Sequence, residues 1–174
     1  NKIPADPQTL FKIASISKMY IAAAAAKLVH DDSLSLEKTL AEYLPELVGR
    51  IENAGTITLR MMLQHRSGIP EFIDHPDYPW GEPPMSRRET LELVLDKSAD
   101  FLPDKKYKYS NTNYLLIGEI LDSVLGYSHH LYIKREILVP LDLHDTYGLL
   151  SEVSMDDLMS GYFVGYEPDI KQND

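Results

Sequence analysis

A serine and a lysine lie three residues apart at the start of an apolar stretch, in the segment Ser15-Ile16-Ser17-Lys18. On a helix, positions i and i+3 share a face, so the Ser15 hydroxyl and the Lys18 amine are expected to meet. A lysine that opens an apolar helix loses hydration, which lowers the pKa of its ammonium and lets it accept the serine proton. The free N–H groups of a helix N-terminus favour an oxyanion at the same place. The pair therefore predicts a nucleophilic serine.

The same spacing recurs once, at Ser35 and Lys38. Here the two residues stand between acidic and polar side chains at the start of an amphipathic pattern. We interpret this second pair as a helix N-cap and a solvated charge.

A second segment that could do chemistry is Tyr109-Ser110-Asn111, just before a helical pattern. Taken alone, Asn111 is typical of a helix N-cap. Taken with Ser15 and Lys18, Tyr109 supplies a phenol that can transfer a proton. The Asn111 amide can both hold the lysine and donate a hydrogen bond to a substrate carbonyl.

The elements that must position these residues are mainly helical. The apolar periodicity and the stop signals predict six helices, over Ser15–His30, 36–44, 58–65, 86–99, 110–126 and 128–138. A capping box at Ser86 and Glu89 begins the fourth helix, and Gly126 ends the fifth. Weak strand signals lie at Leu10–Ile13, Thr146–Leu149 and Tyr162–Tyr166.

Between the third and fourth helices, residues 70–84 carry five prolines together with Phe72, Tyr78 and Trp80. This composition predicts a long, stiff, aromatic loop. Loops of this length are often functional, although packing alone would also explain the aromatic residues.

The composition excludes several classes of function. The 174 residues carry a net charge of −10, which disfavours binding to nucleic acid or to an anionic membrane. Without cysteine, neither a thiolate nucleophile nor a cysteine-based zinc site is available. The longest strictly apolar run, Met19–Ala26, is far shorter than the roughly 20 residues of a membrane span.

Three other groups of polar residues contain side chains that can bind a metal or an anion. His129 and His130 are adjacent on a predicted helix and point about 100° apart, so they are not expected to chelate a metal together. The loop Asp74–Asp77 and the lysines before Tyr109 are interpreted as solvated. We expect no metal and no cofactor.

Five segments in order resemble the penicillin-recognising serine hydrolases, which include class C β-lactamases, serine D-Ala-D-Ala carboxypeptidases and β-lactamase-fold esterases. The segments read FKIASISK (11–18), LSL (34–36), ITLRMMLQHRSGIP (57–70), YSNTNY (109–114) and PLDLHDTY (140–147). The resemblance runs over roughly residues 9–148. It implies an α+β β-lactamase/DD-peptidase-like fold.

The resemblance also implies roles for four residues. Ser15 would be the acylated nucleophile and Lys18 its activating neighbour. Tyr109 would protonate the leaving group and later activate water, while Asn111 would position the substrate. The implied substrate is a small molecule or peptide with an amide, β-lactam or ester carbonyl. Relatives that act on the cell wall imply a periplasmic, secreted or membrane-anchored location outside the cytoplasm.

The chain departs from the family at the third motif, which is Lys or His, then Ser or Thr, then Gly on a sheet strand. No such triplet follows Asn111, and Lys97-Ser98-Ala99 comes too early and lacks the glycine. The segment His65–Gly68 is also too early and is interpreted as structural. We therefore expect residues 1–174 to be a single domain, the helical part of a larger α+β enzyme with most of the sheet elsewhere.

Two departures bear on activity. The strand of the third motif normally supplies an oxyanion donor, and the loss of one such donor typically costs about 10²–10³ in kcat. Pro103-Asp104 stands where the family often has Pro-Gly, a mild change because aspartate tolerates turns.

Two alternatives to a hydrolase therefore stay open. One is an inactive homologue that binds a peptidoglycan-like or peptide ligand, and the other is a helical scaffold in which Ser15 and Asn111 are caps.

Overall fold

A computed structural model describes residues 6–80 and 85–161 of the chain as a helical assembly. The α-helices are α1 (Ser17–His30), α2 (Leu40–Tyr43), α3 (Leu59–Leu63), α4 (Arg87–Glu92), α5 (Asn111–Leu125) and α6 (His129–Ile133). The predicted strand at Tyr162–Tyr166 lies outside the described residues.

Helices α1 and α5 pack against each other and both lie where helices were predicted, but α1 is exposed on one side although its apolar composition predicts a central helix. Helix α1 buries Ala24, Ala25 and Leu28, and it packs against α5 and α6. The small alanine side chains allow this close approach. Gly126 ends α5 in the left-handed conformation, with φ +73°. The stop predicted at that glycine is thereby confirmed.

The core lies between α5 and the shorter helices around it. Its largest fully buried aliphatic side chains come mostly from α5 and from residues 57–62, which include most of α3. They are Leu40, Ile57, Leu59, Met62, Leu116, Ile117, Ile120 and Leu121. Because α5 is buried on this side, its N-terminus is held in a fixed place relative to α1.

The helix predicted over 36–44 is shorter than expected. The residues before Thr39 form a turn and a bend instead of a helix. Their carbonyls bond to the neighbouring segment, where the N–H of Leu59 donates to the Lys38 carbonyl at 3.1 Å. Thr39 is the N-cap of α2, in a capping box with Glu42. The prediction that Ser35 caps this helix is wrong: its hydroxyl accepts only from the N–H of Glu37, at 3.3 Å.

The helix predicted over 86–99 also ends early. It begins as expected with the capping box of Ser86 and Glu89. It stops because Asp96 adopts φ +60° and donates its N–H to the Arg50 carbonyl at 2.7 Å. The pattern at 128–138 is borne out as α6, which continues into a π-helical turn over Lys134–Leu138.

The strands predicted at Leu10–Ile13 and Thr146–Leu149 do not form. In residues 6–80 and 85–161 the only β pairing consists of isolated bridges, one of which joins Leu10 to Leu158. A strand needs a partner along its whole length to satisfy its backbone groups. Within the same residues, no helix is both long and apolar enough to cross a membrane.

Candidate active site

The structure brings together the four residues singled out in the sequence. The Ser15 hydroxyl accepts a hydrogen bond from Lys18 Nζ at 3.0 Å, and the Tyr109 hydroxyl lies 2.7 Å from the same oxygen. Lys18 Nζ also donates to Asn111 Oδ1 at 2.6 Å. Asn111 Oδ1 lies 3.5 Å from the Tyr109 hydroxyl. A hydroxyl, an amine, a phenol and an amide thus form one connected cluster.

Ser15 is exposed at the mouth of this cluster, in a 3-10 turn over Ala14–Ile16 that leads directly into α1. The preceding residue, Ala14, has φ +46°. A left-handed alanine costs roughly 1–2 kcal/mol. The turn is held by the Ser17 hydroxyl, which donates to the Ala14 carbonyl at 2.7 Å. The backbone therefore fixes Ser15 one turn before Lys18, as the i, i+3 spacing predicts.

The other half of the cluster is held by the segment 65–72, which runs beside the N-terminus of α5. The N–H of Ser110 donates to His65 Nδ1 at 3.1 Å. The N–H of Asn111 donates to the Glu71 carboxylate, which also accepts from the N–H of Ile73 at 3.2 Å. These acceptors satisfy backbone donors that a helix start would otherwise leave unpaired.

Two further side chains of α5 continue this attachment. The Thr112 hydroxyl donates to the Pro70 carbonyl at 2.7 Å and accepts from the N–H of Phe72 at 3.1 Å. The buried Ser67 hydroxyl donates to Asn113 Oδ1 at 2.6 Å. The structural interpretation of His65–Gly68 agrees with these contacts, since the segment fixes the loop that carries Tyr109.

The electrostatics of the cluster favour proton transfer at Tyr109. Partial burial raises the pKa of this phenol, but its interactions with Lys18 and Ser15 outweigh burial and hold the pKa below the usual range. Lys18 Nζ lies 5.0 Å from the centre of the Tyr109 ring.

Burial and the Lys18 charge both lower the pKa of His65, which keeps its ring neutral near pH 7.

The lysines before Tyr109 do not reach Ser15 through any hydrogen bond in the part of the chain described. Lys108 pairs with Asp100 at 2.7 Å and with Asp74 at 3.3 Å. Lys105 and Lys106 are exposed, in agreement with the solvated loop that was predicted.

The two adjacent histidines are engaged with other side chains. His129 Nδ1 lies 2.7 Å from Asp122 Oδ1, and His130 Nε2 lies 3.2 Å from an Arg87 nitrogen. Their rings pack on each other, with centroids 4.2 Å apart, so they diverge less than helical geometry alone suggests. Among residues 6–80 and 85–161, no group of three potential metal ligands comes together.

Lys97-Ser98-Ala99 lies away from the cluster. The N–H of Ala99 donates to Glu52 at 2.6 Å, and Ser98 lies against residues 48–55. This placement agrees with the conclusion that the triplet is not the third motif of the family.

One residue of the site, Glu71, was not predicted from the sequence. Glu71 carries the N-terminus of α5, yet in the sequence it is one acidic residue after a proline. Its partner lies 40 residues away, so no local pattern marks it. A lone acidic residue next to the HRSGIP segment was the only available signal.

A serine in the turn that leads into a helix, a lysine in the first turn of that helix and a Tyr-x-Asn segment beside them define the class of serine β-lactamases and related penicillin-binding proteins. The sequence profile described as Beta-lactamase matches residues 1–163, and the chain belongs to that family.

Known proteins agree with this assignment. A putative D-alanyl-D-alanine carboxypeptidase of Escherichia coli is 28% identical over 151 residues, covering 83% of this chain and 35% of the relative. The structure of an octameric penicillin-binding protein homologue from Pyrococcus abyssi has a TM-score of 0.77 at 31% identity, over 94% of this chain and 39% of the other. That of a D-amino acid amidase from Ochrobactrum anthropi has a TM-score of 0.76 at 25% identity, over 93% and 48%.

The chain spans about a third of the length of the curated relatives that it matches.

Proposed function

We propose that the chain supplies the nucleophile and the proton-transfer groups of a serine hydrolase that acts through an acyl-enzyme. The observation that carries this proposal is the double contact at one oxygen: Ser15 Oγ meets both Lys18 Nζ, at 3.0 Å, and the Tyr109 hydroxyl, at 2.7 Å. A serine hydroxyl is a weak nucleophile until a neighbouring group removes its proton. Here two such groups lie within hydrogen-bond distance.

In the acylation step, Ser15 Oγ forms a bond to the carbonyl carbon of an amide, β-lactam or ester. Its proton passes to the pair formed by Lys18 and Tyr109. When the tetrahedral intermediate collapses, the bond to the leaving group breaks and Tyr109 delivers a proton to the departing nitrogen or oxygen. The acyl group is left as an ester on Ser15.

Deacylation uses the same groups in reverse. Tyr109 accepts a proton from water, the resulting hydroxide attacks the ester carbon, and Ser15 leaves with its proton restored. The lowered pKa of Tyr109 supports this role, because a phenol with a lower pKa exchanges protons more readily near neutral pH. Removal of the acyl group completes a hydrolysis.

Asn111 has two tasks in this proposal. Its Oδ1 accepts a hydrogen bond from Lys18 Nζ at 2.6 Å. Its amide nitrogen is then directed away from the lysine and can donate to the substrate carbonyl. The N-terminus of α1 lies next to Ser15, and the positive end of the helix dipole favours negative charge on the reacting oxygen.

The chain is proposed to act as the helical part of a larger α+β domain. The resemblance places a second oxyanion donor on a sheet strand, and no third motif follows Asn111 in these 174 residues. The carboxypeptidase and amidase named among the relatives support an amide or ester carbonyl as the substrate.

A second candidate is a homologue that binds a peptidoglycan-like or peptide ligand without hydrolysis. Ligand binding alone does not need the second oxyanion donor, and no Lys/His-Ser/Thr-Gly triplet occurs among residues 112–174. Such a protein would hold the ligand reversibly and form no covalent bond to Ser15.

Intact-mass analysis of the full-length protein tests the proposal. The protein is incubated with benzylpenicillin and, separately, with a fluorophosphonate. We expect one adduct in the wild type and none in Ser15→Ala. Ser35→Ala is the matched control, since it removes the serine of the other Ser-x-x-Lys pair and should leave the adduct intact. A protein that gives no adduct with either reagent would contradict the proposal, and reversible binding of benzylpenicillin would then favour the second candidate.

A further inference from the structure

A cavity of about 450 Å³ opens beside the candidate catalytic cluster. Lys18 at the start of α1 and Asn111 at the start of α5 are among its lining residues. Phe72, Tyr78 and Trp80 of the aromatic loop also line it. A group attached to a substrate carbonyl at Ser15 could therefore enter it directly.

One wall of the cavity is a series of aromatic rings. Phe72 and Tyr78 have ring centroids 5.4 Å apart, and Tyr78 and Trp80 have centroids 5.3 Å apart with their planes nearly perpendicular. Edge-to-face contacts of this kind hold neighbouring rings in a defined orientation. Trp80 itself is 79% exposed, so a large part of its ring surface is available to a ligand.

Helices α1 and α5 contribute three further apolar side chains to the lining, and all three are partly buried. These side chains are Ile21, Tyr114 and Leu115. A flat apolar group in the cavity would therefore be surrounded by aromatic rings and aliphatic carbon.

Two polar residues of the lining, Arg87 and His130, carry no uncompensated charge. Arg87 pairs with Asp122 at 2.8 Å and with Glu119 at 3.2 Å. Burial lowers the pKa of His130 to about 4, so its imidazole is neutral near pH 7. Neither residue therefore offers a free charge to an occupant.

The position of the cavity also indicates which part of the substrate enters it. Of the described residues, Lys18 and Asn111 line it, whereas Tyr109 does not. In the proposed mechanism Asn111 faces the carbonyl of the acyl group and Tyr109 faces the leaving group. The group that reaches the cavity therefore belongs to the acyl part.

We propose that this cavity selects substrates whose acyl part carries a flat, uncharged aromatic side chain. The inference rests on the proposed function, because it needs acylation at Ser15. It adds a substrate class to that function and assigns a role to the aromatic loop, with Trp80 as a specificity residue.

Hydrolysis of two p-nitrophenyl esters by the full-length protein tests the inference. The acetate has no side chain to place in the cavity, whereas the phenylacetate does. We expect Trp80→Ala to lower kcat/KM for the phenylacetate about threefold to tenfold and to change that for the acetate less than twofold. Trp80→Phe should retain most of the phenylacetate activity, because it keeps an aromatic ring. Val48→Ala, an exposed side chain remote from the cavity, should behave as the wild type with both esters.

The outcomes separate the inference from the proposed function. Equal effects of Trp80→Ala on both esters, or no effect on either, would overturn the aromatic site while Ser15-dependent acetate turnover still supported the hydrolase. Acetate turnover that survives in Ser15→Ala would overturn the proposed function and the inference with it.

Discussion

The imidazole of His65 stacks on the phenol ring of Tyr109, with ring centroids 4.5 Å apart and planes inclined by 29°. The same imidazole accepts the N–H of Ser110 through Nδ1. One side chain thus fixes both the ring that contacts Ser15 and the backbone that follows it. Because Ser110 is buried, its N–H has no access to water as a substitute acceptor.

Replacement of His65 by phenylalanine should separate these two contacts. His65→Phe keeps a ring against Tyr109 but removes the acceptor, and a buried unsatisfied N–H costs about 1–3 kcal/mol. We expect the free energy of unfolding to fall by that amount, as measured by urea denaturation. An unchanged free energy of unfolding would show that the bond from Ser110 contributes nothing.

The hydroxyl of Tyr109 should matter for activity much more than for stability. Tyr109→Phe removes the proposed proton-transfer group while the ring stays on His65. We expect kcat/KM for ester hydrolysis to fall about 10²–10⁴-fold. Tyr107→Phe is the matched control, since this exposed tyrosine also lies near His65. A loss below tenfold would contradict the role given to Tyr109.

The pKa of Tyr109 gives a separate test. Difference titration of tyrosinate absorbance between wild type and Tyr109→Phe should show a phenol that ionises below its ordinary pKa of 10. Lys18→Met removes the neighbouring positive charge and should move that pKa upward. A Tyr109 pKa that is the same with and without Lys18 would contradict the electrostatic explanation.

The carboxylate of Glu71 caps α5 from a distant part of the chain, because it accepts the N–H of Asn111. A negative charge at a helix N-terminus is favourable, and loss of such a cap costs about 0.5–2 kcal/mol. Glu71→Ala should therefore lower the free energy of unfolding by about 1–2 kcal/mol and also reduce kcat/KM, since Asn111 loses its anchor. Glu46→Ala, an exposed acidic residue outside the site, should change neither quantity appreciably.

His130 predicts how stability depends on pH. Burial, helped by the charges of His129 and Arg87, lowers its folded-state pKa to about 4 from an ordinary 6.5. Between these values the unfolded chain binds a proton that the folded chain does not, so stability falls as pH drops from about 6.5 to about 4 and this contribution levels off below. His130→Gln should reduce the loss of stability between pH 7 and 4.5, measured by urea denaturation. The lowered pKa of His65 adds a loss of stability of the same sign at low pH. The quantity to compare is therefore the difference in that loss between the wild type and His130→Gln.

A contact in the site could be predicted from the sequence when its two residues are close together along the chain. Ser15 and Lys18 are three residues apart, and helical geometry alone brings them together. The capping box at Ser86 and the stop at Gly126 are equally local, and both are found where they were expected. Side-chain chemistry and helix periodicity are properties of neighbouring residues, so these features can be determined from the sequence by itself.

The tertiary structure decided the features that depend on distant partners. Lys18 and Asn111 are separated by 93 positions, and spacing alone does not bring them together; only their resemblance to known motifs indicated it. Glu71 had no such signal. The helix predicted over 36–44 begins late and the helix predicted over 86–99 ends early, because backbone groups near Thr39 and Asp96 bond to other segments.

The same physical reason explains the strands that do not form and the cavity that could not be foreseen. A strand is defined by the partner that takes its backbone hydrogen bonds, and the pattern at Leu10–Ile13 does not reveal one. The aromatic residues of the loop were visible in the sequence, but packing or binding explained them equally well. Only the folded chain places Trp80 in the lining of the same cavity as Lys18 and Asn111.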